Sequence, residues 1–216
     1  MIRVNNLHKY YGNLHIIRGV SFQVHDAEIL SIVGPSGAGK STLLHIMGTL
    51  EPPSQGEVWY DEVNPARMPP AQLAAFRNTH IGFVFQFHHL LPEFSALENV
   101  CIPGWIAGRN NSEVEHKARE LLALLKLDHR LHHRPAQLSG GEQQRVAVAR
   151  ALINKPKVVL ADEPSGNLDS DSARSLHELF IDLRRQLKQT FVIATHNEEL
   201  AAMADRRLVL EDGMLR

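Results

Sequence analysis

Apolar positions along this chain fall into short runs with two different rhythms. Runs at residues 2–4, 20–24, 28–33, 56–60 and 81–85 have the length and alternation of strands and predict a first part rich in β structure. One helix, over residues 42–47, interrupts it. Between residues 93 and 154 the rhythm changes. Ser112 opens a helix there whose apolar positions Val114, Ala118, Leu121, Leu122 and Leu125 recur three and four residues apart, so this segment is expected to be mainly helical. Short buried strands then return at residues 158–161, 191–194 and 208–210, with a long helical pattern over residues 173–188 between the first two. A helical block is thus inserted into an α/β unit. Asp212-Gly213 is a turn signal with three residues after it, which predicts no added regulatory domain.

With 216 residues the chain can bury roughly 70% of its unfolded surface and should fold without staples. Its 23 Lys and Arg against 24 Asp and Glu give a net charge of -1, without the cationic excess of a nucleic-acid binder, so no nucleic-acid partner is expected. The single cysteine, Cys101, has no partner for an internal disulfide, and no charged-then-apolar leader opens the sequence, which fits a reducing cytosol. No run of 18 apolar residues is present, so any membrane role is expected to come through a partner.

The most specific chemistry lies in Gly34-Pro35-Ser36-Gly37-Ala38-Gly39-Lys40-Ser41-Thr42, which satisfies G-x-x-x-x-G-K-[ST] between an apolar run and a helix. Glycines let such a loop curl until successive backbone N–H groups converge on a polyphosphate. Lys40 can reach the β- and γ-phosphates, Ser41 can hold Mg²⁺, and the positive end of the helix faces the anion. A second cluster ends the apolar run 158–161 with Asp162-Glu163-Pro164. Asp162 is placed to organise Mg²⁺, and Glu163 to act as general base on a water in line with the γ-phosphate.

A third cluster, Leu138-Ser139-Gly140-Gly141-Glu142-Gln143-Gln144-Arg145, opens a helix and offers a second anion-binding helix N-terminus without a lysine. The whole string matches the signature motif of ATP-binding cassette (ABC) ATPases, and the chain resembles that family from end to end. The other motifs occur in order: Tyr11, Gln86, Ser165-Gly166-Asn167-Leu168-Asp169 and His196. The resemblance implies a P-loop NTPase fold of the ABC nucleotide-binding type, with an inserted helical subdomain at about 87–157. Residues 1–86 and 158–216 would form a RecA-like core with an N-terminal antiparallel β subdomain.

By the same resemblance Tyr11 stacks on adenine, Gln86 touches Mg²⁺ and the attacking water, and His196 contacts the γ-phosphate. Ser139, Gly140, Gly141, Gln143 and Asp169 belong to the ATP site shared with an opposite subunit. Two ATP molecules are then sandwiched between two head-to-tail copies. Residues 85–100, with the Arg134-Pro135 and 161–169 strings, are similar to the lipoprotein-releasing ATPase subunits of bacterial Lol systems. Macrolide-exporter and cell-division cassettes share much of this pattern. The implied protein is an ATP-driven motor on the cytoplasmic face of the bacterial inner membrane, docked to integral membrane subunits near residues 87–94. The run Phe87-His88-His89-Leu90-Leu91-Pro92-Glu93-Phe94 carries four large apolar side chains, of a kind normally buried. The histidine pairs 88–89 and 132–133 lack a carboxylate or cysteine at ligand spacing and read as docking surface, not a metal site.

Overall fold

The computed structural model describes all 216 residues. In chain order its strands are β1 (Ile2–Tyr11), β2 (Leu14–Val24), β3 (Ile29–Val33), β4 (Gln55–Tyr60), β5 (Ile81–Phe85), β6 (Val158–Asp162), β7 (Phe191–Thr195), β8 (Arg206–Glu211) and β9 (Met214–Leu215). The helices are α1 (Lys40–Met47), α2 (Pro70–His80), α3 (Ala96–Ile106), α4 (Asn111–Leu124), α5 (Gly140–Leu152), α6 (Ser170–Leu187) and α7 (Glu198–Ala202).

Two sheets result. β2-β1-β4 is antiparallel, whereas β5-β6-β7-β3-β8 is parallel, with β9 added antiparallel at its edge. The parallel strands are short and apolar because both faces are covered. In β6, Val159 and Ala161 enter one core with α3 to α6, while Val158 and Leu160 enter a second core with α1 and the antiparallel sheet. β7 divides the same way: Phe191 and Ile193 face one core, Val192 and Ala194 the other.

Helix ends follow from local chemistry. Ser95 with Glu98, and Ser139 with Glu142, close reciprocal capping boxes on α3 and α5, and the Asn110 side-chain Oδ1 accepts from the N–H groups of Ser112 and Glu113 at α4. In α6, Leu176, Leu179, Phe180 and Leu183 form one buried stripe at three- and four-residue spacing. Gly104 lets α3 approach α4 closely, since a Cβ there would lie 2.7 Å from Val114 Cγ1. Cys101, on α3, is 1% exposed, and burial pushes its thiol up to about 11.

Several elements depart from the sequence expectation. The first part contains two helices, not one: α2 lies between β4 and β5 with Phe76 as its only buried residue, so it carries almost no apolar period. β1 and β2 run much further than residues 2–4 and 20–24. Register shifts between Val4 and Leu7, Leu7 and His8, and Lys9 and Tyr10 break the alternation that would have marked their full length. α4 and α6 begin earlier than expected, at Asn111 and Ser170, because their caps are Asn110 and Asp169. The expected turn at Asp212-Gly213 joins β8 to β9, and the Gly213 carbonyl accepts from Arg18 N–H at 2.8 Å, fastening that hairpin to β2. No helix is long and apolar enough to cross a membrane.

Candidate active site

Three parallel strands, β3, β6 and β7, end side by side, and the chemistry-bearing residues follow their C-terminal ends. Gly34 leaves β3 so close to β8 that a Cβ would sit 2.0 Å from the Leu210 carbonyl oxygen. Gly37 and Gly39 have φ of 81° and 101°, in the region that glycine alone adopts without strain, and they turn the loop back over the start of α1. The first N–H groups of α1 have no acceptor within the helix, which suits the start of this helix to an anion. Lys40 folds over the same mouth, and its Nζ donates to the carbonyls of Gly34 at 2.9 Å and Pro35 at 3.2 Å.

A cavity of about 660 Å³ opens at this loop. It brings together Tyr11, Ser36, Gly37, Gly39, Lys40, Ser41, Thr42, Gln86, Glu163 and His196. Ile16, which the sequence reading missed, also lines it. Gly34, Pro35 and Ala38 shape the loop from behind without lining the cavity.

Glu163 is the best-anchored member of the group. Its backbone is left-handed, φ 45°, a conformation that costs a non-glycine residue about 1 kcal/mol. Its N–H donates to Ala194 at 2.9 Å, and its carbonyl accepts from Gly166 N–H at 3.0 Å. Held this way, the carboxylate has Oε2 2.9 Å from His196 Nδ1 and Oε1 3.9 Å from Lys40 Nζ. It also accepts from Thr195 Oγ1 and His196 N–H, both at 3.3 Å.

Asp162 ends β6 beside Ser41. Burial raises its carboxyl above the ordinary range, and the Ser41 hydroxyl pulls it back. Its Oδ1 is buried with no hydrogen-bond partner. An orphaned acidic oxygen next to a hydroxyl is the donor set that a hard divalent cation takes. Gln86, following β5, is tied to the loop after Glu163: its Nε2 donates to Asn167 Oδ1 at 3.0 Å, and Asn167 Nδ2 donates to the Gln86 carbonyl at 3.2 Å. Asn167 was visible in the sequence only as part of a string, since its partner is 81 residues away.

The model of the family described as ABC transporter matches residues 17–166, more than two thirds of the chain. The chain belongs to this family. It is an ATP-hydrolysing, nucleotide-binding subunit of the ABC type. Curated relatives named "Lipoprotein-releasing system ATP-binding protein LolD" are 55% identical to it in both Cytophaga hutchinsonii and Bacteroides thetaiotaomicron. Those two matches cover 100% of this chain and 98% and 99% of the relatives. Among solved structures, the bacterial ABC transporter cassette MJ0796, described as dimeric, superposes with a TM-score of 0.90 at 38% identity, over 100% of this chain and 97% of that one. A post-hydrolysis dimer of the same cassette, bound to ADP and Pi, gives 0.89 at 37% identity, over the same shares of the two chains.

The ABC signature string stands apart from the cavity. Ser139 caps α5, with Oγ accepting from Glu142 N–H at 3.2 Å, and the Glu142 carboxylate accepts from Ser139 N–H and from Arg130 Nε, both at 2.8 Å. Gly140 and Gly141 begin the helix against Leu168 and Ser172; a Cβ on Gly141 would meet Ser172 Oγ at 3.2 Å. The Gln143 amide turns inward and donates to the carbonyls of Pro135 at 3.0 Å and Leu138 at 3.1 Å. Asp169 caps α6, accepting from Ser172 N–H at 2.9 Å and Oγ at 2.7 Å. None of these five lines the cavity of its own chain.

Residues 87–94 form an irregular segment whose large apolar side chains mostly face outward. Phe87, Leu91 and Phe94 are 65%, 43% and 37% exposed, and only Leu90 packs partly on the core. The segment's carbonyls explain this, because they point inward to two donors. Asn99 Nδ2 donates to Leu91 and Phe94, both at 3.1 Å, and Arg150 donates to His89 at 2.7 Å and His88 at 2.8 Å. With the backbone satisfied from inside, the large side chains are left outside. Beside them lies a groove of about 400 Å³ between the β5 side of the core and α3, lined in part by Phe83, Phe85, Pro103 and Ile106.

Proposed function

We propose that this chain is the motor subunit of a membrane complex that releases lipoproteins from the bacterial inner membrane, working as a head-to-tail pair. The observation that carries the ATPase chemistry is the position of Glu163, its carboxylate between Lys40 and His196 at the mouth of the phosphate loop. Support for the cargo comes from full-length similarity to the lipoprotein-releasing relatives.

In this reading Lys40 exchanges its two loop carbonyls for the β- and γ-phosphates of ATP, and the Tyr11 ring receives the adenine. Glu163 orients a water in line with the γ-phosphorus and accepts its proton. His196 keeps Oε2 aligned and donates to the γ-phosphate. Asp162 and Ser41 would hold Mg²⁺, with Gln86 adjoining, and the bound ion would supply charge neutralisation on the phosphate oxygens. Ser139 Oγ accepts from Glu142 N–H, which leaves its O–H free to donate. Ser139, Gly140 and Gly141 are thereby suited to the phosphates of an ATP held by a second copy, with Gln143 and Asp169 bracing the two helix starts.

The helical block, at about 87–157, carries the motion outward. Phe87, Leu91 and Phe94, with the neighbouring groove, form an apolar seat for a short helix of an integral membrane subunit. The chain then sits peripherally on the cytoplasmic face, with no nucleic-acid partner. The test is to co-express the chain with lipoprotein-releasing membrane subunits, purify the complex and reconstitute it in proteoliposomes loaded with a lipoprotein. ATP-dependent lipoprotein release is expected. A complex that hydrolyses ATP and exports a macrolide while leaving the lipoprotein in the bilayer would overturn the cargo assignment.

A further inference from the structure

Tyr11 is the only Phe, Tyr or Trp in the lining of the 660 Å³ cavity. It ends β1 and is 46% exposed, so its strand alone does not fix the direction of its ring. Four groups do. Its hydroxyl donates to Glu51 Oε2 and also meets the hydroxyl of Thr42, in the first turn of α1. Lys9 Nζ lies 5.0 Å from the ring centroid, over one face, and 3.2 Å from Glu51 Oε2. Lys9 is itself buried and donates to the Pro52 carbonyl at 2.9 Å, so the ammonium is fixed in place. His45 Nδ1 approaches the other Glu51 oxygen at 3.7 Å. The Tyr11 hydroxyl, followed by Lys9 and His45, holds the Glu51 carboxyl below the ordinary range, so at neutral pH it is a charged acceptor.

We infer that Glu51, supported by Lys9, is a positioning residue for base recognition: it fixes the Tyr11 ring so that the face opposite Lys9 is presented to a purine. This rests on the reading of the cavity as an ATP site. The geometry joins the two ends of that site through one element, because α1 begins with Lys40 at the phosphates and the loop following it carries Glu51. A cation on one face of the ring makes that face unavailable for stacking and leaves the other for the base. Stacking a base on an aromatic side chain contributes about 1–3 kcal/mol, which corresponds to about 5- to 150-fold in affinity. A ring free to turn forfeits part of that.

The decisive comparison is between MgATP and inorganic tripolyphosphate, which has the phosphates and no base, measured by calorimetry on the full chain. Wild type binding neither would refute the nucleotide reading itself; wild type binding both sets the baseline. Glu51→Ala is then expected to weaken ATP by about 5-fold or more, within the stacking range, while tripolyphosphate stays within about twofold. Glu51→Gln keeps an acceptor for the hydroxyl and should retain ATP affinity. Tyr11→Phe keeps the stacking face, loses the hydroxyl and should weaken ATP in the same selective way. In the Tyr11→Phe background, Glu51→Ala should add nothing further. If Glu51→Ala does not fold, Tyr11→Phe alone decides. Unchanged or tighter ATP binding, a parallel loss for tripolyphosphate, or independent effects of the two substitutions would each overturn the assignment.

Discussion

Glu163 occupies a left-handed backbone position, carries its own hydrogen-bond anchors at N–H and carbonyl, and points one oxygen at Lys40 and the other at His196. Such over-determination suits a group whose placement matters to a proton transfer. Glu163→Gln is expected to retain ATP binding and slow hydrolysis by about 10²–10⁴-fold, the usual contribution of a positioned general base. Single-turnover kinetics check this, and near-normal turnover would remove Glu163 from the mechanism. Asp162 presents the opposite case, a carboxylate that the nucleotide-free fold holds at a cost. Its pKa is raised by burial, so the folded state binds the proton more readily than the unfolded chain, and its contribution to stability falls as pH rises from the ordinary carboxylate value through the folded one. Asp162→Asn should therefore raise the Tm of the nucleotide-free protein at neutral pH, with the gain shrinking as pH drops below the carboxylate range, while Mg²⁺-dependent hydrolysis falls. A lower Tm at neutral pH would show that its bond to Ser41 outweighs desolvation. The sequence displayed both acids because they are adjacent and end an apolar run. It displayed Asn167 only within a string and Ile16 not at all, because their roles are set by neighbours far along the chain.

Helix α5 links the signature string to the segment after β5. Gln144, fully buried, donates through Nε2 to the Phe85 carbonyl at 3.2 Å, and Arg150, two turns on, holds the carbonyls of His88 and His89. Gln86 lies between those two attachments, so a movement of α5 reaches it through backbone on both sides. Gly82 allows β5 to lie against this helix: a Cβ there would sit 2.5 Å from the Ala151 carbonyl oxygen. Arg150→Met removes two charge-assisted bonds and leaves two carbonyls without their donor. It is expected to lower stability by about 1–3 kcal/mol, read as a reduced urea midpoint. A midpoint equal to wild type would mean that water replaces the guanidinium without loss. At this scale the sequence was legible where an element had a buried stripe, as in α4 and α6, and where the signature string opens α5. It was illegible for α2, which buries one side chain and otherwise reads as loop, and for β1 and β2, whose bulges disrupt alternation.

Across the whole molecule, the phosphate loop, Glu163 and His196 line one cavity, while the signature string caps a helix outside it. The two sets are complementary in chemistry and separate in space, which is the reason for proposing a pair of chains. On the docking proposal, the exposed segment 87–94 makes a second contact whose loss should leave the fold intact. Leu91→Gln or Phe94→Gln is expected to uncouple lipoprotein release from ATP hydrolysis while the isolated chain keeps its cooperative unfolding and its ATPase activity. Loss of that unfolding transition would return these residues to the core. Residue pattern alone does not decide whether this segment is buried or exposed, because its exposure depends on Asn99 and Arg150 reaching in from separate helices.

Cys101 makes such motions open to measurement. With its thiol buried on α3 and pushed up to about 11, Cys101 is held in the unreactive thiol form and shielded from solvent. Toward a maleimide the natural chain is therefore silent without any substitution. A single cysteine introduced on an exposed loop would be the sole reactive position, and a spin label or fluorophore placed there would report movement of the helical block against no background.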